Sequence, residues 1–373
     1  MKLSDFKLER FFAKYEFSAP YLLSSSDCES FTVGELLALE ENAEEEFKNL
    51  WLGYTESQGN PELREEISKL YKNTLPEEIL VFSGAEEGIF VFMNVLLEKG
   101  DRIIVQYPAY QSLYGIAEAL GCEVTKWEMK YENGWKPDFE ILEESIRKHK
   151  NTKAIIINSP HNPTGYQFSK EEFHAIIQIA RENGLHVFSD EVYRFLEYDS
   201  RDRLPAIADV YEKGLSLGVM SKTFGLPGLR IGWIATKDRE LLGKIAAFKD
   251  FTTICNSAPG EFLSCLALRH KETLIERNLG IIRKNLEVLD SFFEEHGELF
   301  EWVKPKAGPI GFPQIKFGRN AEELCIDVVE KQGVMLLPGT VYDFGEQNFR
   351  LGFGRKNMPE ALEKLREYIK KNL

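Results

Sequence analysis

Between residues 79 and 236 short apolar runs alternate with amphipathic segments of helix length, and nothing else in the sequence narrows the possible folds as far. Ile79–Phe82, Ile103–Gln106, Cys122–Trp127, Lys153–Asn158 and the run from His186 read as strands, being short, apolar or β-branched and bounded by turn-forming residues. The segments between them, closing at Leu97, Leu120, His149 and Asn183, carry apolar side chains at helical spacing. Strands spaced by crossover helices pair in parallel and need both faces covered, so the expected fold is α/β with a mainly parallel sheet. Ligands of such sheets gather beyond the carboxyl ends of the strands.

The stretch Ser216–Ala235 departs from that rhythm. It holds two apolar runs joined by a Gly/Pro-punctuated loop, with Lys222 just past the first run and Arg230 leading the second. Beyond Ala235 the pattern becomes long helices over about 238–250 and 258–294, then extended segments within 301–317, 334–337 and 349–353. A last helix starts at Pro359 and carries Leu362, Leu365 and Ile369.

Residues 1–33 show no clear period, and Ser24–Ser30 reads as a loop. A helix is expected over Gly34–Leu50, with Leu36, Leu37, Leu39, Ala43 and Phe47 on one side, and another from Pro61 with Leu63, Ile67 and Leu70. In the Glu140–His149 helix, Ile141, Leu142, Ser145 and Ile146 are expected to face inward. The 373 residues exceed the ~250–300 at which single cores stop growing, so two domains are expected. They are a large one over 34–255 and a discontinuous α+β one from 1–33 and 256–373.

A formal charge of -14 argues against nonspecific binding to nucleic acid or anionic membrane, which attract basic surfaces. The acidic runs Glu40–Glu46 and Glu294–Glu298 read as solvated helix faces. Five scattered cysteines without a C-x-x-C pair are those of a reducing compartment. Without an apolar leader or membrane-length run, a cytoplasmic location is expected. No H-E-x-x-H, G-x-S-x-G or strand-linked G-x-G-x-x-G occurs, and no metal site is expected. Gly218–Thr223 is a poor match to a Walker loop, because Ser221 stands where glycine must precede the lysine.

The strand ends collect Gly84-Ala85-Glu86 at the start of a helix, Tyr110, Asn162, Asp190 with Tyr193, Lys222 and nearby Arg230. Together they offer a Schiff-base lysine, a carboxylate for a ring nitrogen, hydrogen-bond donors for a phenolic oxygen, an aromatic to stack, and cationic and amide groups for a phosphate. These are the needs of pyridoxal phosphate.

The motifs Gly53-Tyr54-Thr55, Tyr107-Pro108-Ala109-Tyr110, Pro160-His161-Asn162-Pro163-Thr164-Gly165, Asp190-Glu191-Val192-Tyr193, Ser221-Lys222-Thr223 through Arg230, and Asn348-Phe349-Arg350 follow one another along nearly the whole chain. In them the sequence resembles the class I/II aminotransferases of the fold-type I pyridoxal-phosphate enzymes. The resemblance implies a mixed seven-stranded sheet and a homodimer with shared active sites. It assigns the Schiff base and proton transfer to Lys222, the ring nitrogen to Asp190, the phenolate oxygen to Asn162 and Tyr193, and ring stacking to Tyr110. Arg230, Ser221, Gly84 and the amides of Ala85 and Glu86 are assigned to the phosphate, together with Tyr54 from the other subunit. Arg350, with Asn162 beside it, is assigned to the substrate α-carboxylate.

The implied reaction is ping-pong transfer of an amino group from an α-amino acid to a 2-oxo acid. The alternatives are a lyase or cyclase of the same fold, or a noncatalytic protein that keeps the cofactor. The chain departs from the family at two places: Val219 stands where the family often has Ser or Thr, and Ser24–Ser30 replaces the family's Gly/Pro loop near the substrate carboxylate.

Overall fold

A computed structural model describes residues 1–373. Seven strands form the central sheet: β1 (Ile79–Phe82), β2 (Arg102–Tyr107), β3 (Glu123–Glu128), β4 (Thr152–Asn158), β5 (His186–Asp190), β6 (Gly214–Val219) and β7 (Gly232–Thr236). Their spatial order is β1-β7-β6-β5-β4-β2-β3. All neighbours are parallel except β7, which runs antiparallel to both β1 and β6. The two strands are joined by residues 220–231, which hold only a 3-10 turn at Pro227–Leu229 and no crossover helix, and the chain returns antiparallel beside β6.

Burial in β4 alternates between the two layers. Ala154 and Ile156 join the core under the Ala85–Leu96 and Ser112–Leu120 helices, whereas Ile155 and Ile157 pack with the Phe139–Lys148 and Lys170–Asn183 helices. A strand apolar on both faces can only be central and doubly covered. The mainly parallel α/β sheet read from the sequence is therefore the observed one.

Four local expectations are corrected. The proposed Gly34–Leu50 helix is two short helices, Val33–Leu37 and Ala43–Lys48. Asn42 between them is left-handed at φ 67°, a conformation no helix interior accepts. Ile141 does not face inward: it is 42% exposed, and Leu142, Ser145 and Ile146 alone make the buried stripe. The 258–294 stretch is likewise two helices, Ala258–Arg269 and Lys271–Glu295, parted at His270. Glu40 is not a purely solvated residue either, since it pairs with the Arg269 guanidinium at 2.7 Å.

The remaining residues pack around the open end of the sheet. Near the N-terminus a helix over Lys7–Tyr15 precedes Tyr21–Leu22, which pairs in parallel with Val334–Met335. The Phe349–Gly352 strand lies antiparallel to both Ile310–Gly311 and Leu337–Pro338. The N-terminal segment is thus held against the last third of the chain, and both border the carboxyl ends of β4, β5 and β6. All five cysteines are free thiols. No helix is long and apolar enough to cross a membrane, and no cluster of His, Cys, Asp or Glu is arranged to hold a metal ion.

Candidate active site

Three adjacent parallel strands converge on one cavity. Asn158 closes β4 and stands opposite Asp190, which closes β5 and stands opposite Leu217 of β6. The Asn158 side chain clamps the turn that follows: its amide nitrogen donates to the Asp190 carbonyl at 2.9 Å, and its oxygen accepts from the Asn162 N–H at 2.6 Å. Asn162 is thereby placed beside Asp190 although 28 residues separate them in sequence. Lys222 follows β6 by three residues and enters the same space.

The cavity has a volume of about 370 Å³. Ala85, Glu86, Tyr110, Asn162, Asp190, Tyr193, Ser221, Lys222, Arg230 and Arg350 all line it, so the fold brings together every residue singled out in the sequence except Gly84 and Tyr54. Gly84 lies just behind the wall: a side-chain carbon there would come within 2.5 Å of Arg230 Nη2, and its φ of +88° suits glycine. Strand β7 also presses close to this helix start, because a Cβ at Gly232 would lie 2.6 Å from the Ala85 nitrogen. Pairing of β7 beside β1 therefore delivers Arg230 to the free amides of Ala85 and Glu86, a position where a helix N-terminus and a guanidinium share an anion. Tyr54 is 86% exposed and lies in an outer groove with Trp51 and Phe262, away from the cavity.

Burial dominates the electrostatics. It pushes the Asp190 carboxyl up from 3.8 to about 7, against the Val192 N–H at 3.2 Å and the Lys222 charge, both of which favour the anion. It also lowers Lys222 below the ordinary lysine value, opposed mainly by Asp27, while Nζ donates to Ser26 Oγ at 2.9 Å. A lysine shifted in this direction is closer to a base usable near neutrality. Tyr193 is 1% exposed, its phenol is raised by burial, and its hydroxyl has no hydrogen-bond partner in the protein. The Tyr110 ring borders the cavity and its hydroxyl donates to Glu9 at 3.2 Å.

Arg350 is 2% exposed and almost fully engaged. Its Nε and Nη2 donate to the Ser24 carbonyl at 3.1 and 2.8 Å, and Nη1 donates to the Tyr342 hydroxyl at 2.6 Å and to Asn162 Oδ1 at 3.3 Å. Tyr342 in turn donates to Asn162 Oδ1 at 3.0 Å, which leaves the Asn162 NH₂ pointing its donors elsewhere.

The family profile described as Aminotransferase class I and II matches residues 22–367. The chain belongs to that family. It is an enzyme of the pyridoxal-phosphate-dependent fold-type I group, and pyridoxal phosphate is its cofactor. Among solved structures it is similar to a PLP-dependent aminotransferase from Streptococcus suis, 35% identical, with a TM-score of 0.93 over 100% of this chain and 99% of that one. It is also similar to the PLP-dependent cyclase OrfR, 28% identical, with a TM-score of 0.89 over 100% and 99% of the two chains. Capreomycidine synthase of Streptomyces vinaceus is 27% identical over 94% of this chain and 88% of its own.

The cavity fits the cofactor on its own evidence of unmet bonding. Asp190 is a buried carboxylate with one N–H donor and no cation in contact, the Tyr193 hydroxyl is buried without a partner, and Arg230 stands beside free helix amides. A cationic ring nitrogen, a phenolate oxygen and a phosphate would satisfy these groups in turn.

Sequence reading missed several residues that shape the cavity. Leu8, Glu9 and Phe12 come from the N-terminal helix and Glu16 from its C-cap, Ser25, Ser26 and Asp27 from the loop that follows, and Arg355 from beyond the Arg350 strand. The Ser24–Ser30 loop carried a signal in its departure from the family pattern, whereas Tyr342 and Glu16 carried none.

Proposed function

We propose that this enzyme is a transaminase that takes the amino group of an α-amino acid and passes it to a 2-oxo acid, with Lys222 as its proton-transferring base. The observation that supports this most is the placement of buried Lys222, its pKa lowered, in one cavity with the Asp190 carboxylate and the Arg350 guanidinium. Bound pyridoxal phosphate supplies an aldehyde carbon that links to amines and a pyridinium ring that draws electrons from the substrate Cα.

The protein's own groups then have separable tasks. Asp190 holds the ring nitrogen in its charged form. Asn162 and Tyr193 donate to the phenolate oxygen, and Tyr110 covers one ring face. Arg230, Ser221 and the amides of Ala85 and Glu86, at the turn shaped by Gly84, hold the phosphate. Arg350 grips the α-carboxylate with two of its N–H groups, which orients Cα toward Lys222. Lys222 Nζ would remove the Cα proton and deliver it to the carbon two atoms along, beyond the linking nitrogen.

We also read residues 34–255 as the cofactor-carrying unit and the molecule as a homodimer, with Tyr54 reaching the partner's phosphate. Supporting the dimer, Trp51, Leu52, Tyr54, Phe251 and Ile254 are exposed apolar side chains. Their segments are tied together by Lys249, whose ammonium donates to the carbonyls of Ser57 at 2.6 Å and Ile254 at 3.0 Å. An exposed apolar surface of this kind is what an interface covers.

A second reading is cyclisation or elimination at the same site, favoured by the synthase and cyclase named above. A panel of amino acids added to yellow holoenzyme separates the two. Transamination converts the colour to that of the pyridoxamine form and requires a 2-oxo acid to restore it. Elimination releases ammonia and an oxo acid while the original colour persists, and that outcome refutes the transaminase reading.

A further inference from the structure

Once the cofactor and α-carboxylate groups are assigned, three carboxylates that line the cavity have no cation in contact, those of Glu86, Glu9 and Glu16. Asp27 is accounted for, because both its oxygens accept from Arg355, at 3.1 and 2.9 Å. Glu86 accepts from the Ser112 hydroxyl behind the helix start. Glu9 accepts only the neutral Tyr110 hydroxyl at 3.2 Å, and the half-buried Glu16 carboxylate has no hydrogen-bond or ion-pair partner. Burial, then the charges of Asp27 and Glu9, raise the Glu16 pKa against the opposing charges of Arg355 and Lys222.

The helix explains how both carboxylates reach the cavity. Leu8, Glu9, Phe12 and Glu16 recur at helical spacing and form one stripe along its wall. Seven residues separate the two glutamates, about 10 Å along the axis at 1.5 Å per residue. Leu8 and Phe12, both buried, make the apolar surface of that stripe. Beside it the Ser25 hydroxyl, on a residue only 5% exposed that lines the same cavity, lacks any hydrogen-bond partner. Its oxygen has hydrogen-bonding capacity that no protein group uses.

We propose that Glu9, Glu16 and the Ser25 hydroxyl form the side-chain subsite of this cavity and select an amino acid whose side chain ends in a cation, a guanidinium or an ammonium. The inference rests on the amino-acid reading above. A methylene stem would lie along Leu8 and Phe12 while its charged head meets the carboxylates, which is how long cationic side chains divide between apolar and polar surface. An acidic substrate side chain would face Glu9 and Glu16, with Arg355 already neutralised by Asp27. Like-charge juxtaposition of that kind rejects a ligand.

The test is kcat/KM of the holoenzyme for arginine, ornithine, alanine and aspartate, with pyridoxamine formation followed spectrally. Arginine or ornithine should exceed alanine by about tenfold or more and aspartate should fall below alanine. The comparison of arginine with ornithine tells guanidinium from ammonium. In Glu9→Gln/Glu16→Gln the preference for the cationic substrate over alanine should collapse, chiefly through KM. Glu16→Lys should raise aspartate relative to arginine, a reversal that loosened helix packing would not produce. Aspartate matching arginine in the wild type, or an unchanged preference in the double variant, overturns the subsite while leaving the transaminase reading intact. If none of the four amino acids alters the spectrum, the amino-acid reading fails and takes the subsite with it.

Discussion

Replacing Arg350 by lysine isolates what the guanidinium does. Its five N–H groups are nearly allocated: two serve the Ser24 carbonyl, one serves Tyr342, and the long 3.3 Å contact serves Asn162. One Nη2 hydrogen is free, and the Asn162 contact is the weakest of the set. A substrate carboxylate can therefore take one hydrogen from each terminal nitrogen without releasing Ser24. A lysine ammonium is a single point and cannot hold Ser24, Tyr342 and a carboxylate together. Losing one charge-assisted hydrogen bond to substrate costs about 1.5–3 kcal/mol, or roughly 10- to 150-fold in kcat/KM.

The assay compares the Arg350→Lys and wild-type holoenzymes on an amino acid and on the matching amine without its carboxylate, with melting temperatures measured alongside. The loss should be confined to the amino acid. An equal loss on both would show that Arg350 acts only by tying the strand to the Ser24 loop, and the carboxylate would then be bound elsewhere.

Two further outcomes follow from the geometry. Gly84→Ala forces a side chain to 2.5 Å from Arg230 Nη2 at a φ of +88°, so cofactor affinity should fall severalfold and the apoprotein should lose about 1–3 kcal/mol of stability; an unchanged Kd in a cofactor titration would contradict it. Burial raises both Asp190 and Glu191 to about 7, above their ordinary values, so their protonated forms favour the folded apoprotein. Their contribution is complete below the ordinary carboxylate range and is lost as pH rises through about 7. The apoprotein melting temperature should accordingly fall more over that window in the wild type than in Asp190→Asn, and identical pH profiles would refute the assignment for Asp190.

Much of the architecture is legible because it is written in local periodicity. Thr152–Asn158 announces a doubly covered strand through its own apolar run, and the helix from Lys170 to Asn183 is bounded as its sequence indicates, by Ser169 before it and Gly184 after it. Lys222, Asp190 and Asn162 were findable because each sits at a strand end with turn-forming neighbours. The misread segments fail where no local pattern reports the answer: Asn42 breaks a plausible helix with one left-handed residue, and Ile141 differs from Leu142 only in which side of the helix it takes.

The local sequence by itself determined the α/β alternation and, through its motifs, the family and cofactor. Only the tertiary structure decided what borders the chemistry. The Arg350 guanidinium meets a carbonyl 326 residues away, Asn162 is oriented by a tyrosine 180 residues away, and Lys222 meets Ser26 across 196 residues. Hydrophobic period records which side of a strand or helix faces inward, but it holds no record of which distant loop is brought there. The N-terminal helix illustrates the limit: it carries Glu9 and is capped by Glu16, and the packing of the whole chain brings both to the cavity.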